Sequence, residues 1–310
     1  MRGMTNSAPT QGPVVVGFDG SDGAGLALRW AVAEAARRDR RLLIAQVFEW
    51  APPAVEDRVT AADFDGELIR RHARQLLEDA ADECRRMAPE VTVETAAPEG
   101  PAAATLARVA ADREAPLLVI GSSGISALPR VLLGSTAADL ARSVDVPLVV
   151  VRTGPDGDEL DTEVADHAPV IVGADGSANS DPAVGFAFDF AHRHGVPLRA
   201  VHALSDLPPN LLTTGPVAGL GPQVGKGGMQ PGVSRQLDQH GTAYPDVDAT
   251  LAEVPNPPAH ALLDAAQDAR LLVVGSHGRG RVRRAFLGSV SHAVLYHAPC
   301  PVAVLRSDRP

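Results

Sequence analysis

Short runs of Val, Ile and Leu alternate along the chain with longer stretches in which apolar and polar residues follow a helical period. In the first half, the apolar runs predict strands and the amphipathic stretches between them predict helices. The predicted strands are Val14–Phe18, Leu42–Phe48, Val91–Thr95, Leu117–Gly121 and Leu148–Val151, and the predicted helices are Ala24–Arg38, Asp65–Met87, Ala102–Arg113 and Ser135–Val144. Strands that are apolar throughout and alternate with helices indicate βαβ units with right-handed crossovers. The pattern therefore predicts an α/β fold with a doubly wound, five-stranded parallel sheet.

The second half of the sequence repeats the first. VVVGFDGS at 14–21 returns as VIVGADGS at 170–177, and LLVIGSSG at 117–124 returns as LLVVGSHG at 271–278. The offset is 156 residues from Asp19 to Asp175 and 154 residues from Gly121 to Gly275. One domain has therefore been duplicated, and the period is far too long for a solenoid repeat. We predict domain 1 at 12–153, a polar linker at 154–167 and domain 2 at 168–307, by the composition of the join.

One segment of domain 2 breaks the repeat. Ser205–Gly232 contains seven Gly and five Pro among its 28 residues, where domain 1 has a long helical pattern. Gly costs about 1 kcal/mol and Pro about 3 kcal/mol at a helix position, so the segment is predicted to be a loop. At most a short helix is expected at Val233–His240. A loop of this length is either functional or a diverged, disordered segment.

A glycine-rich pattern follows the fourth predicted strand of each domain. It reads Gly121-x2-Gly124-x9-Gly134-Ser135-Thr136 in domain 1 and Gly275-x2-Gly278-x9-Gly288-Ser289-Val290 in domain 2. The first two glycines would let the chain turn at the end of the strand and let a ligand approach the backbone. The third glycine opens a helix, whose first turn offers unpaired N–H groups at the positive end of the dipole. The pattern predicts a phosphate site.

An aspartate ends the first predicted strand of each domain at the same edge of the sheet. Asp19 is followed by Gly20 and Ser21, and Asp175 is followed by Gly176 and Ser177. Ligands of open α/β sheets bind beyond the carboxyl ends of the strands, where the strand order reverses. Taken singly, an Asp-Gly-Ser segment could be only a turn or a helix cap. As a duplicated set with the glycines, it predicts a nucleotide site.

These motifs resemble those of the universal stress proteins, in the tandem ATP-binding form whose signature is G-x2-G-x9-G-[ST]. The resemblance extends from about Val14 to Arg306. It implies a Rossmann-like fold, similar to the adenine nucleotide α-hydrolases, with strand order 3-2-1-4-5 in each domain. It also implies that Asp19 and Asp175 contact adenine and that Val47 and Val201 line the adenine pocket, although core packing explains the two valines equally well.

The resemblance implies ATP, with Mg²⁺, as the ligand of both domains. In domain 1 the expected ligand-binding residues are Asp19, Gly20, Ser21, Val47, Gly121, Gly124, Gly134, Ser135 and Thr136. In domain 2 they are Asp175, Gly176, Ser177, Val201, Gly275, His277, Gly278, Arg279, Gly288, Ser289 and Val290. No catalytic residue is identified, and no protein side chains are assigned to a metal.

The glycine-rich loop of domain 2 is basic. It carries His277, Arg279, Arg281, Arg283 and Arg284, whereas the corresponding loop of domain 1 has only Arg130. The cluster could meet a triphosphate or a partner. It could equally be a solvated loop that balances nearby acids, and both interpretations stay open.

The net charge of the chain argues against two classes of binding partner. The formal charge of −10 argues against sequence-independent binding to nucleic acid and against docking on an anionic membrane. Cys84 and Cys300 are too few for a disulfide framework, so we expect buried thiols. The first residues lack the apolar core of a signal peptide, and no run of 18 apolar residues is present, which fits a cytoplasmic location.

The fifth predicted strands, Leu148–Val151 and Val302–Leu305, would lie at sheet edges, and exposed apolar edges invite pairing. We expect them to pair with each other and make the chain an internal pseudo-dimer; homodimerisation is left open.

The expected function is regulation of stress response or growth through bound ATP. The alternatives are an enzyme of adenylate chemistry or slow ATP hydrolysis, and a scaffold with one decayed site.

Overall fold

The computed structural model describes residues 12–48, 66–122, 133–152, 167–203, 231–277 and 287–307. They divide between two compact units. Unit 1 takes in the described residues from 12 to 122 together with 134–146, and unit 2 takes in residue 133, residues 147–152 and the described residues from 167 onward. Within those ranges, the structure has no helix that is both long and apolar enough to span a membrane.

Unit 1 alternates strands and helices. Its elements are β1 (Val14–Gly17), α1 (Asp22–Arg37), β2 (Leu42–Ala45), α2 (Gly66–Met87), β3 (Val93–Ala96), α3 (Ala102–Asp112), β4 (Leu118–Gly121) and α4 (Ser135–Ser143). The strands pair in parallel in the order β3-β2-β1-β4. Because all of them run the same way, their carboxyl ends share one edge of the sheet.

Unit 2 has the same alternation with one strand added at its start. Its elements are β5 (Leu148–Val151), β6 (Val170–Gly173), α5 (Asp181–His194), β7 (Leu198–Ala203), α6 (Pro231–Ala243), β8 (Ala249–Val254), α7 (Pro258–Ala265), β9 (Leu271–Gly275), α8 (Ser289–His297) and β10 (Val302–Leu305). The strand order is β5-β10-β9-β6-β7-β8. Strands β6 to β10 are parallel and have the implied 3-2-1-4-5 order of the second repeat.

The fifth strands of the two repeats pair with each other within unit 2. β5 runs antiparallel to β10, with Val150 opposite Val302 and Leu148 opposite Val304. All residues of both strands are buried. The predicted pairing of the fifth strands is confirmed, and it removes an apolar edge from solvent.

The helices cover the sheets with small apolar faces. In α1 the buried positions include Ala24, Ala27, Leu28 and Ala31, which follow the i, i+3, i+4, i+7 spacing of one helix face. The helix begins where the Ser21 hydroxyl accepts the backbone N–H of Ala24 at 3.2 Å. This N-cap satisfies one of the four donors that a helix start leaves without an intrahelical partner.

The largest difference from the predicted elements lies in α6. The sequence predicts at most a short helix at Val233–His240, whereas the helix spans Pro231–Ala243. A proline at the first helical position sacrifices no hydrogen bond. The helix continues through Gly241 because Phe188 of α5 stacks on His240 and Tyr244, with ring centroids 6.0 and 6.2 Å apart. Packing outweighs the low helix propensity of glycine here. The part of the predicted loop at 205–230 lies outside the described residues.

The two thiols are buried, as predicted. Cys84 is 0% and Cys300 is 3% exposed. Burial is the main cause that raises the pKa of each thiol to about 12. Neither is a nucleophile at neutral pH, because the thiolate is the reactive form.

Candidate functional site

A cavity of about 410 Å³ lies in unit 2 where the carboxyl ends of β6, β7 and β9 meet. β6 stands between β7 and β9, so the strand order reverses at this point, which is where open α/β sheets bind ligands. The first turns of α7 and α8 close the cavity on two sides. Its size falls in the range of roughly 300–1,000 Å³ typical of small-molecule sites.

The two Asp-Gly-Ser segments form the same turn in both units. Asp19 Oδ1 accepts hydrogen bonds from the backbone N–H and the hydroxyl of Ser21, at 3.0 and 2.6 Å. Asp175 Oδ1 accepts from the same two groups of Ser177, at 2.9 and 2.6 Å. The intervening glycines have left-handed backbone, with φ of 82° at Gly20 and 75° at Gly176. This conformation favours glycine, so the turn explains the Gly of the motif without a ligand. Asp175 also lines the cavity.

The third glycine of each pattern is the N-cap of a helix. Gly134 has φ −60° and ψ 154° before α4, and Gly288 has φ −61° and ψ 151° before α8. The N–H of Gly134 donates to the carbonyl of Ser122, and the N–H of Gly288 donates to the carbonyl of Ser276, both at 2.8 Å. Neither helix has a side-chain hydrogen bond at its cap.

The first turn of α8 therefore presents backbone donors to the cavity. Gly288, Ser289, Val290 and Ser291 all line it. The N–H groups of the first turn have no intrahelical acceptor and lie at the positive end of the helix dipole. Ser135 and Thr136 hold the equivalent positions at the start of α4 in unit 1. Both helix starts are suited to an anion.

Gly121 and Gly275 serve chain packing. A Cβ on Gly121 would lie 2.6 Å from the backbone carbon and oxygen of Gly23 at the start of α1. A Cβ on Gly275 would lie 3.0 Å from the carbonyl oxygen of Asn179. These close approaches, of the start of α1 to Gly121 and of the β6–α5 loop to Gly275, give both glycines a packing reason, and their predicted contact with a ligand stays a prediction. Gly275 also borders the cavity.

The sheet register shows that Val47 and Val201 are not equivalent positions. Ala45 lies opposite Gly17, and Val201 lies opposite Gly173. Val47, two residues beyond Ala45, therefore corresponds to Ala203. Both Val201 and Ala203 line the cavity, and Val47 is half-buried just beyond β2. β2 ends at Ala45, three residues before the predicted strand end at Phe48, whereas β7 continues two residues beyond Val201 to Ala203.

Two histidines line the cavity. The Nδ1 atom of His277 lies 3.0 Å from the hydroxyl oxygen of Ser276, and its Nε2 atom is buried without a hydrogen-bond partner among the described residues. His202 is 3% exposed and its Nδ1 atom lies 2.8 Å from the carbonyl oxygen of Ala174. Sequence reasoning selected His277 and missed His202. A polar residue inside the apolar run LRAVHA was the signal that could have found it.

The loop after β6 is tied to α6. Gln236 of α6 donates from Nε2 to the carbonyl of Ser177 at 2.7 Å, and its Oε1 accepts from the hydroxyl of Ser180 at 3.3 Å. Ser180 is the N-cap of α5 and lines the cavity. Sequence reasoning did not select this pair, since 56 residues separate the two side chains. A ligand beside Asp175 would therefore meet a loop that is bonded to α6.

The middle of each glycine pattern lies outside the described residues. This holds for Gly124 and Arg130 in the first repeat, and for Gly278, Arg279, Arg281, Arg283 and Arg284 in the second. The predicted phosphate contacts of Gly124, Gly278 and Arg279 stay predictions.

Comparisons with known proteins agree on one family. The model of the Universal stress protein family matches residues 12–152 and 168–306. A universal stress protein of Mycobacterium tuberculosis (strain H37Rv) is 36% identical over 303 residues, which cover 95% of this chain and 97% of that protein. One of Mycolicibacterium smegmatis is 35% identical over 311 residues, covering 98% and 99%. The crystal structure of a universal stress protein from Archaeoglobus fulgidus has a TM-score of 0.69 at 18% identity, covering 96% of this chain and 99% of that one, and so supports the fold.

Proposed function

Because this chain belongs to the universal stress protein family, we propose that it is an ATP-binding regulatory protein of stress response or growth control. The observation that carries the proposal is the uncapped first turn of α8, which lines the same cavity as Asp175. The site then has an electropositive end made of backbone N–H donors and an anionic end made of a carboxylate. A nucleotide has the matching polarity, with an anionic phosphate end and a base that offers N–H donors.

The phosphates would lie at the first turn of α8. The N–H groups of Ser289, Val290 and Ser291 are the unpaired donors there, and the hydroxyl of Ser289 is exposed next to them. The buried Nε2 of His277 would gain a partner. Mg²⁺ would bind through the phosphates, and we assign it no protein ligand. Gly278 and Arg279 would complete the phosphate loop, as the sequence motif implies.

The base would lie at the opposite side of the cavity, over β6 and β7. Val201, Ala203 and Leu262 supply apolar surface for its faces. Asp175 repels phosphate and accepts hydrogen bonds, so it favours the base or the ribose as its neighbour. β7 and β9 are two strand spacings apart, roughly 10 Å. That separation allows one nucleotide to reach from the base side to α8.

We propose a second site in unit 1. The turn at Asp19, Gly20 and Ser21 and the N-cap at Gly134 have the same hydrogen bonds and nearly the same backbone angles as their counterparts in unit 2. Ser135 and Thr136 would supply the helix-start donors, and Val47 would border the base. Gly124 would complete the phosphate loop.

Regulation would follow from the bond between the cavity loop and α6. Nucleotide that fills the space beside Asp175 changes the surroundings of Ser177 and Ser180, whose hydrogen bonds with Gln236 hold α6. Occupancy would then bias the position of α6, and through it the binding of a protein partner. We place this activity in the cytoplasm. Slow hydrolysis of ATP is compatible with such a site, because positioning is most of what phosphoryl transfer needs.

The direct test is to purify the protein, denature it and quantify adenine nucleotide released into the supernatant. Calorimetric titration of nucleotide-free protein with Mg-ATP gives the stoichiometry, which we expect to be two per chain. Mg-GTP is the control and should bind more weakly. A protein that is isolated empty and takes up no Mg-ATP would refute the proposal, whereas one nucleotide per chain would support the alternative in which one site has decayed.

A further inference from the structure

His202 is the most buried imidazole of the cavity wall. It is 3% exposed, stands near the end of β7 and borders the cavity beside Val201 and Ala203. A polar side chain at this depth needs hydrogen-bond partners, because an unpaired buried polar group costs about 1–3 kcal/mol. Among the described residues its side chain makes one hydrogen bond, through Nδ1 to the carbonyl oxygen of Ala174 at 2.8 Å.

That hydrogen bond fixes the tautomer. A backbone carbonyl can only accept, so Nδ1 must carry the hydrogen. In the neutral ring Nε2 then has a lone pair and can only accept. The ring presents an acceptor to whatever fills the cavity.

The equivalent position in unit 1 is Gln46. Val201 lies opposite Gly173 and Ala45 lies opposite Gly17, so the residues that follow them, His202 and Gln46, match. The Oε1 atom of Gln46 is buried and has no hydrogen-bond partner among the described residues. Two chemically different side chains thus carry an acceptor atom at matching positions of the two repeats.

We infer that His202 in unit 2, and Gln46 in unit 1, are specificity-determining residues that accept a hydrogen bond from the exocyclic amino group of adenine. This inference rests on the proposed function and deepens it. Adenine has an amino donor at C6, where guanine has a carbonyl oxygen. An acceptor at this depth pairs with the first and repels the second, so the position selects ATP over GTP.

The test compares ATP with purine riboside 5′-triphosphate, which differs from ATP only in lacking the amino group. Calorimetric titrations use a Gly134→Asp background. The added carboxylate at the start of α4 repels phosphate in unit 1 and leaves unit 2 as the measured site. His202→Asn keeps an amide N–H for the Ala174 carbonyl and lacks an atom at the position of Nε2. His202→Gln reaches that position with an oxygen, as Gln46 does in unit 1.

The protein with His202 should bind ATP about three- to tenfold more tightly than the analogue, as one hydrogen bond predicts. His202→Asn should bind both ligands equally, and His202→Gln should keep the preference. The inference is overturned if His202→Asn retains the full preference, or if the protein with His202 shows none. If the protein without any substitution binds neither triphosphate, the proposed function itself fails. If it binds ATP but the preference for ATP over the analogue does not depend on His202, only the role of His202 is overturned.

Discussion

A carboxylate at the N-cap of α8 should close the phosphate end of the unit 2 site. Gly288 has φ −61° and ψ 151°, a conformation that any L-residue adopts and that N-cap aspartate favours. A Cβ there would lie 3.2 Å from the carbonyl oxygen of Ser276 and 3.5 Å from the Cα of His277, so the neighbours need to move by only a few tenths of an ångström. The Gly288→Asp side chain would accept from the first-turn N–H groups that the phosphates require.

The expected loss of ATP affinity in Gly288→Asp has two contributions. Losing the helix-start donors should cost about 1.5 kcal/mol of ATP binding, the lower range for hydrogen bonds to charged groups. A carboxylate about 5 Å from a phosphate, at an effective dielectric constant of about 40, adds roughly 1.7 kcal/mol of repulsion. The sum, about 3 kcal/mol, corresponds to more than a hundredfold loss of affinity. Gly288→Asn caps the helix in the same way without the charge, so it should lose only about tenfold.

Isothermal titration with Mg-ATP measures both variants, with thermal unfolding as the control for folding. We expect Gly288→Asp to bind one ATP per chain fewer with high affinity than the unchanged protein. The gap between Asp and Asn should narrow as salt is raised, because screening weakens the charge term alone. Stability should change by less than about 1 kcal/mol, since an N-cap gain offsets slight crowding. Equal ATP affinity in Gly288→Asp, Gly288→Asn and the unchanged protein would refute the assignment of phosphate to this helix start.

Three further predictions concern Asp175, Gly121 and the two buried thiols. Asp175→Ala should weaken ATP binding by roughly 1–3 kcal/mol, measured by calorimetric titration. The ratio of ATP affinity to GTP affinity should fall as well, and an unchanged ratio would contradict recognition of the base by the carboxylate. Gly121→Ala should destabilise unit 1 by about 1–3 kcal/mol in urea unfolding, because its Cβ would lie 2.6 Å from backbone atoms at the start of α1. Its matched control, Gly25→Ala, meets only a side-chain atom at 3.9 Å within α1 and should stabilise by about 0.5–1 kcal/mol. Cys84 and Cys300 should resist a thiol reagent at pH 8 until the chain unfolds, since burial raises the pKa of each to about 12. Folding favours the protonated thiols, so their contribution to stability is full below pH 9, the ordinary thiol value, and is lost as pH rises toward 12.

The sequence by itself determined the elements and their duplication. Apolar runs such as Val14–Gly17 and Val170–Gly173 are strands because their residues are buried on both faces, and this requires only the local pattern. The apolar character of β5 and β10 was likewise enough to predict that they pair. The left-handed glycines after Asp19 and Asp175 follow from turn chemistry, which is also local.

Only the tertiary structure decided which side chains share the cavity and what each glycine is for. Gly121 has no room for a side chain because a Cβ there would lie 2.6 Å from backbone atoms of Gly23 at the start of α1, about a hundred residues earlier in the chain. His202 lines the cavity and hydrogen-bonds a carbonyl 28 residues away, and the strand registers match it with Gln46 and match Val47 with Ala203. Local periodicity sets the face of the strand or helix on which a side chain lies. Which residues it contacts depends on strand register and helix packing, and these involve segments that are distant in sequence.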